Sequence, residues 1–265
     1  MKRVLSGAVL IPLVLGMVYL PSKQIFIYIM MGVAYFAFSE FTGMFNERRR
    51  SVFIPVAVLM LLFINLVGVD LQRAFVLLTI IPLAVFILVL PGNDPIDRKL
   101  FRAKLYLSGF LYIALPLSLF SPVREWKTDP GHWLLFALVI SWICDTAAFS
   151  VGTLTGRHHM APTISPKKTW EGFAAGFVAS VLAGFVMNHI FFDGKHTIFC
   201  LLLSAAVSLA GQAGDLTESL FKRAAGVKDS GTIIPGHGGL LDRMDSLIFS
   251  VTVVYFMLKA AELYV

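Results

Sequence analysis

Residues 219–245 read SLFKRAAGVKDSGTIIPGHGGLLDRMD. The stretch decides the fold through what it interrupts. On either side lie apolar runs of helical length. Between them stand Lys222, Arg223, Lys228 and Arg243, the aspartates Asp229, Asp242 and Asp245, His237 and five glycines. A polar insert this dense between two apolar helices belongs at the water-facing edge of a bilayer. Carboxylates mixed with cations at such an edge suit a divalent cation and a polyphosphate held side by side, which neither sign alone would do.

The rest of the chain agrees. Of 265 residues 57% are hydrophobic and 14% charged, and the mean hydropathy is +0.80, whereas an ordinary soluble domain is about 25% charged. The fold class is all-α: a polytopic membrane protein of about nine transmembrane helices, starting near Val4, Gln24, Val52, Ala74, Leu105, Trp133, Gly172, Thr197 and Met244. The first run follows Met1-Lys2-Arg3, but Val18-Tyr19-Leu20-Pro21 offers no small-x-small cleavage site, so it reads as a retained span.

With nine spans, one side of the membrane collects 16 Lys and Arg and the other 5. This bias places the N-terminus and the 219–245 segment in the cytoplasm. The net charge of +6 and pI near 9.4 then follow from topology and an anionic leaflet, with no nucleic acid as partner. Cys144 and Cys200 fall inside apolar runs, without zinc spacing or a secreted disulfide framework. Residues 1–125 read as scaffold helices and 126–265 as the catalytic region of one integrated membrane domain.

Two upstream stretches join the polar segment. In Ser-Trp-Ile-Cys-Asp-Thr (141–146), Asp145 sits within an apolar run, where an ionised carboxylate costs roughly 2.5–3.5 kcal/mol on insertion scales. It is either functional or one half of a helix–helix hydrogen bond. In Ser-Pro-Lys-Lys-Thr-Trp-Glu-Gly (165–172), Lys167 and Lys168 precede a span, as phosphate contacts or as a positive flank.

Asp215 closes the eighth span. Helical continuation puts Asp215, Ser219 and Lys222 on one face, with Glu218 and Arg223 turned away. Asp242 and Asp245 are three apart at the start of the ninth span, although an aspartate at Asp242 also makes a good N-cap. Three carboxylates near hydrocarbon repel one another unless a cation neutralises them. Pro235-Gly236-His237-Gly238-Gly239 can turn N–H groups toward an anion. His237 is a phosphate donor or a loop residue with a backbone partner.

The 219–245 segment resembles the signature of the phosphatidate cytidylyltransferase (CDP-diacylglycerol synthase) family. It fits S-x-x-K-R-x4-K-D-x-G-x2-I-P-x-H-G-G-x-x-D-R-x-D throughout, and C-D-T-A-A-F-S-V-G and S-P-K-K-T-W-E-G upstream are similar too. Phe149 stands where the family pattern leads one to expect tyrosine.

The resemblance implies a Mg²⁺-dependent enzyme of the cell (inner) membrane. It would join CTP to phosphatidate, giving CDP-diacylglycerol and pyrophosphate, with its site on the cytoplasmic side. It implies catalytic roles for Asp215, Lys222, Arg223, Lys228, Asp229, His237, Asp242, Arg243 and Asp245. Asp145, Ser165, Lys167, Lys168, Ser219, Gly238 and Gly239 would bind substrate. Asp215, Asp242 and Asp245 would hold Mg²⁺, with a second cation and a homodimer both compatible. A lipid phosphate is already largely dianionic near neutral pH, its second pKa being about 6, so no covalent nucleophile is assigned. A CTP-dependent lipid kinase would use the same groups, and an ion-coupled transporter is the reading from another class.

Overall fold

The computed structural model describes residues 12, 14–127, 130–233 and 238–262. The helices are α1 (Lys23–Met44), α2 (Arg50–Val69), α3 (Leu71–Val89), α4 (Ile96–Gly109), α5 (Leu115–Ser118), α6 (Phe120–Arg124), α7 (His132–Thr155), α8 (Trp170–Phe192), α9 (Thr197–Ala224) and α10 (Leu241–Glu262). A π-helical turn, Phe110–Ala114, joins α4 to α5, and Ile96–Arg124 acts as one span.

Among the described residues eight helices are long and apolar enough to cross a membrane. They correspond to the expected starts from Gln24 onward. The run from Val4 begins outside the described residues. One span starts at Ile96 rather than near Leu105 because its first turns carry Arg98 and Arg102, whose charges are met by Glu47 and Asp94. The all-α class holds with one small addition: strands β1 (His159–Ala161) and β2 (Ser165–Thr169) pair antiparallel, with His159 opposite Thr169 and Ala161 opposite Ser165.

The chain forms two compact units, Met1–Pro122 with Asp229–Asp242, and Val123–Lys228 with Arg243–Val265. In the first, aromatic rings fill the space between helices: Phe38 stacks on Phe53 at 5.4 Å between centroids and meets Tyr106 edge-on at 5.6 Å. Phe38, Tyr106 and Phe110 are fully buried. Asp70 caps α3 by accepting from the Gln72 and Arg73 N–H groups, while Phe75, Val76, Ile80 and Leu83 stay exposed, as suits a helix facing lipid acyl chains.

The second unit packs by small residues. A Cβ on Gly172 of α8 would lie 2.6 Å from the Ala148 carbonyl oxygen of α7, and one on Gly184 would lie 2.4 Å from Ser204 Oγ of α9. Only glycine lets those backbones approach so closely, which is how membrane helices without a hydrophobic drive between them associate. Hydroxyls complete the interior, with Ser141 Oγ donating to Ser250 Oγ at 2.9 Å and Cys144 Sγ 3.1 Å from Ser208 Oγ. Trp133 stacks on Phe192 at 4.2 Å, near the start of α7.

Candidate active site

In the second unit α7, β2, α9 and α10 bring expected residues together. Thr169 ends β2 and caps α8, its Oγ1 accepting from the Gly172 N–H at 3.2 Å. This fixes the strand that precedes it. Side chains on a strand alternate between faces, and the two lysines divide accordingly. Lys168 Nζ pairs with Asp215 Oδ2 of α9 at 2.6 Å, whereas Lys167 is exposed.

Asp215 is one of several acids there. Asp145 of α7 lies within Coulombic reach of Asp215, Lys168 and Arg243, and Asp245 of α10 within reach of Asp215, Glu218 and Asp145. Ser246 Oγ donates to Asp145 Oδ2 at 3.3 Å, tying α10 to α7. Gly214 sets the approach of α9 to α10, since a Cβ there would lie 2.4 Å from the Asp245 carbonyl oxygen. Small residues thus press together helices that carry like charges. That arrangement suits a site whose ligands neutralise them.

The α9 face expected from sequence needs one correction. Glu218 is not turned away: it is buried and accepts from Lys222 Nζ at 2.7 Å. Three residues after Asp215 and four before Lys222, Glu218 lies on their helical face by spacing alone. Arg223 holds structure at the end of α9, donating through Nε to the Ile164 carbonyl at 3.2 Å and through a terminal nitrogen to the Val227 carbonyl at 3.1 Å. Ser219 is buried, Ser165 half-buried, and Lys228 and Arg243 exposed.

Asp229, Gly238, Gly239 and Asp242 belong to the first unit, and His237 lies outside the described residues. Asp229 is exposed. The Asp242 carboxylate accepts from the Gly239 N–H at 2.7 Å and the Ser230 N–H at 3.0 Å. Gly238 has φ +82°, and a Cβ on it would lie 2.7 Å from Asp242 Oδ2. The loop therefore closes on its own aspartate.

A residue outside the sequence expectations organises this loop. Glu40 of α1 is buried and accepts from the Leu240 N–H at 3.1 Å, the Leu241 N–H at 2.9 Å and Ser230 Oγ at 3.4 Å. It takes the capping role at the start of α10 that sequence offered to Asp242, so part of the supposed scaffold serves the loop. The signal was available: Glu40 is a carboxylate inside an apolar run, as Asp145 is. Among the described residues no group of three or more His, Cys, Asp and Glu side chains is placed to hold a metal ion by itself.

Comparison with known proteins fixes the family. The model of the cytidylyltransferase family matches residues 1–261. The chain belongs to that family. Curated relatives named phosphatidate cytidylyltransferase include one from Staphylococcus saprophyticus, 42% identical over 151 residues, which is 57% of this chain and 54% of that protein. One from Staphylococcus haemolyticus is 46% identical over 133 residues, 50% of this chain and 51% of that protein. One from Staphylococcus aureus is 44% identical over 135 residues, 51% and 52%. By these matches the chain spans about half the length of the curated relatives.

Proposed function

We propose that this cytidylyltransferase-family protein transfers the cytidylyl group of CTP to phosphatidate, releasing pyrophosphate. The observation that carries the reading is the Lys168–Asp215 pair at 2.6 Å, with Asp145, Glu218 and Asp245 around it. Cations and carboxylates side by side are what a polyphosphate and its metal both need. The names of the similar proteins support the same substrates.

Mg²⁺ fits the donor set, because it is usually held by one or two carboxylates with water and substrate phosphates completing its shell. Asp215 and Asp245 would hold it. Asp242 has a local role in the loop, and its part in metal holding rests on the sequence expectation. When bound, Mg²⁺ would neutralise charge on the α-phosphate and the departing pyrophosphate.

The chain's own groups do the rest. Lys168 would leave Asp215 for a phosphate oxygen as substrate enters, and Lys222 and Arg243 would steady the phosphate chain. The lipid phosphate attacks as the dianion, so no side chain need take its proton. Incubating the purified chain with CTP, phosphatidate and Mg²⁺ tests the reading. It expects pyrophosphate and a cytidine-bearing lipid in equal amounts, and pyrophosphate without that lipid would sink it.

The site would face the cytoplasm, supported by the 16 to 5 asymmetry of Lys and Arg. A cysteine introduced at exposed Lys228 should resist an impermeant thiol reagent in sealed right-side-out vesicles. Labelling there before permeabilisation would reverse the topology.

A further inference from the structure

A second polar cluster lies wholly within the first unit, where the α1–α2 and α3–α4 connections meet. Arg48, Arg49, Arg98 and Arg102 line a cavity of about 640 Å³ with Glu47 and Asp94. Arg102 forms its floor: its side chain is 3% exposed, and it donates to Glu47 Oε2 at 2.8 Å and Asp94 Oδ2 at 3.0 Å. Both acids are thus fixed from beneath. Arg98 Nε donates to Glu47 Oε1 at 2.8 Å, and Arg49 pairs with Asp94. Gly92, at φ +99°, lets the α3–α4 turn wrap over Arg49, for a Cβ there would lie 2.5 Å from that guanidinium.

The charges do not balance. Burial by itself raises the Glu47 carboxyl, but hydrogen bonds from Arg102 and Arg98 outweigh it and hold it below its ordinary value. Arg102 above all does the same for Asp94. Both acids are therefore ionised at neutral pH. Four guanidiniums against two carboxylates leave the cavity with a net charge of +2. Arg98 is 57% exposed, and among the described residues its terminal nitrogens have no protein acceptor, so part of its fork remains for a ligand. A flank that merely biased topology would need exposed Lys or Arg, with neither a buried arginine nor a cavity.

We propose that this cavity is a binding site for a phosphate-bearing anion, either a lipid headgroup or a free phosphate. A phosphodiester headgroup carries one negative charge and a free phosphate or monoester about −1.5 to −2 at neutral pH, so either offsets part or all of the excess positive charge, and guanidinium forks grip phosphate oxygens two at a time. The volume lies within the roughly 300–1,000 Å³ of small-ligand sites. The exposed side chains of Leu90, Ile96 and Leu100 flank these connections and would accept acyl chains if the anion is a lipid.

The test uses the full chain and three variants: Arg49→Gln, Arg98→Gln, and Arg73→Gln as a charge control whose partner is Asp70. One arm measures the shift in thermal midpoint on adding inorganic phosphate at fixed ionic strength. The other measures retention of phosphatidylglycerol against phosphatidylcholine by native mass spectrometry. The site predicts binding of at least one probe, weakened about tenfold or more in Arg49→Gln and Arg98→Gln and unchanged in Arg73→Gln. Response to phosphate assigns a soluble anion, and selective lipid retention assigns a headgroup. If neither probe depends on Arg49 or Arg98, or if Arg73→Gln weakens binding as much, the site does not exist.

Discussion

Lys168 and Asp215 lie 2.6 Å apart, joining the β2 hairpin to α9, while the adjacent Lys167 projects into the open. Two lysines indistinguishable as charges in a flank thereby acquire different expected roles. Lys168→Gln should lower turnover by about 10²–10³-fold, the size found when a donor to developing charge is removed. Lys167→Gln should change it by about twofold or less, as exposed substitutions do. Steady-state rates with membrane insertion checked in parallel decide the matter; equal losses in both would remove the distinction.

Asp245 reaches Asp215 because Gly214 has no side chain. Gly214→Ala would press a methyl group onto the Asp245 carbonyl and Phe249, and overpacking of this kind costs about 1–3 kcal/mol. A lower thermal midpoint and reduced turnover are expected together. Gly32→Ala on α1, where a Cβ meets nothing within 4 Å, should alter neither. A Gly214→Ala protein indistinguishable from the parent would show that the α9–α10 approach does not set the site.

Glu40→Ala would leave the Leu240 and Leu241 N–H groups at the start of α10 without their acceptor. Hydrogen bonds to charged groups contribute about 1.5–3 kcal/mol each, so the 229–242 loop should loosen. Limited proteolysis would detect faster cleavage there, with a smaller change elsewhere in the chain. Unaltered cleavage would mean that Glu40 is a bystander.

Sequence reading located the helices and not their partners. Hydropathy sees eight of the described spans because each is a long apolar run, and Asp145 stands out because a charge in such a run is costly. Glu40 satisfies the same rule, yet its partner Leu240 is 200 positions away. No local pattern announces that contact. Glu218 needs no distant contact to be placed: three residues after Asp215 and four before Lys222, it shares their helical face by spacing alone, and the pair with Lys222 follows from that. The β hairpin was hidden because Ser165–Thr169 is short, and its lysines look like an ordinary membrane flank until the period of two is applied.

Cytidylyl transfer is tested most directly by following phosphorus. Purified chain is given phosphatidate, Mg²⁺ and CTP labelled at the α-phosphorus in one reaction and at the γ-phosphorus in a parallel one, and the extracted lipid is counted. Attack by the lipid phosphate on the α-phosphorus predicts label in lipid from the α position only, with γ label leaving as pyrophosphate. Label entering lipid from the γ position alone would contradict the account and identify a kinase.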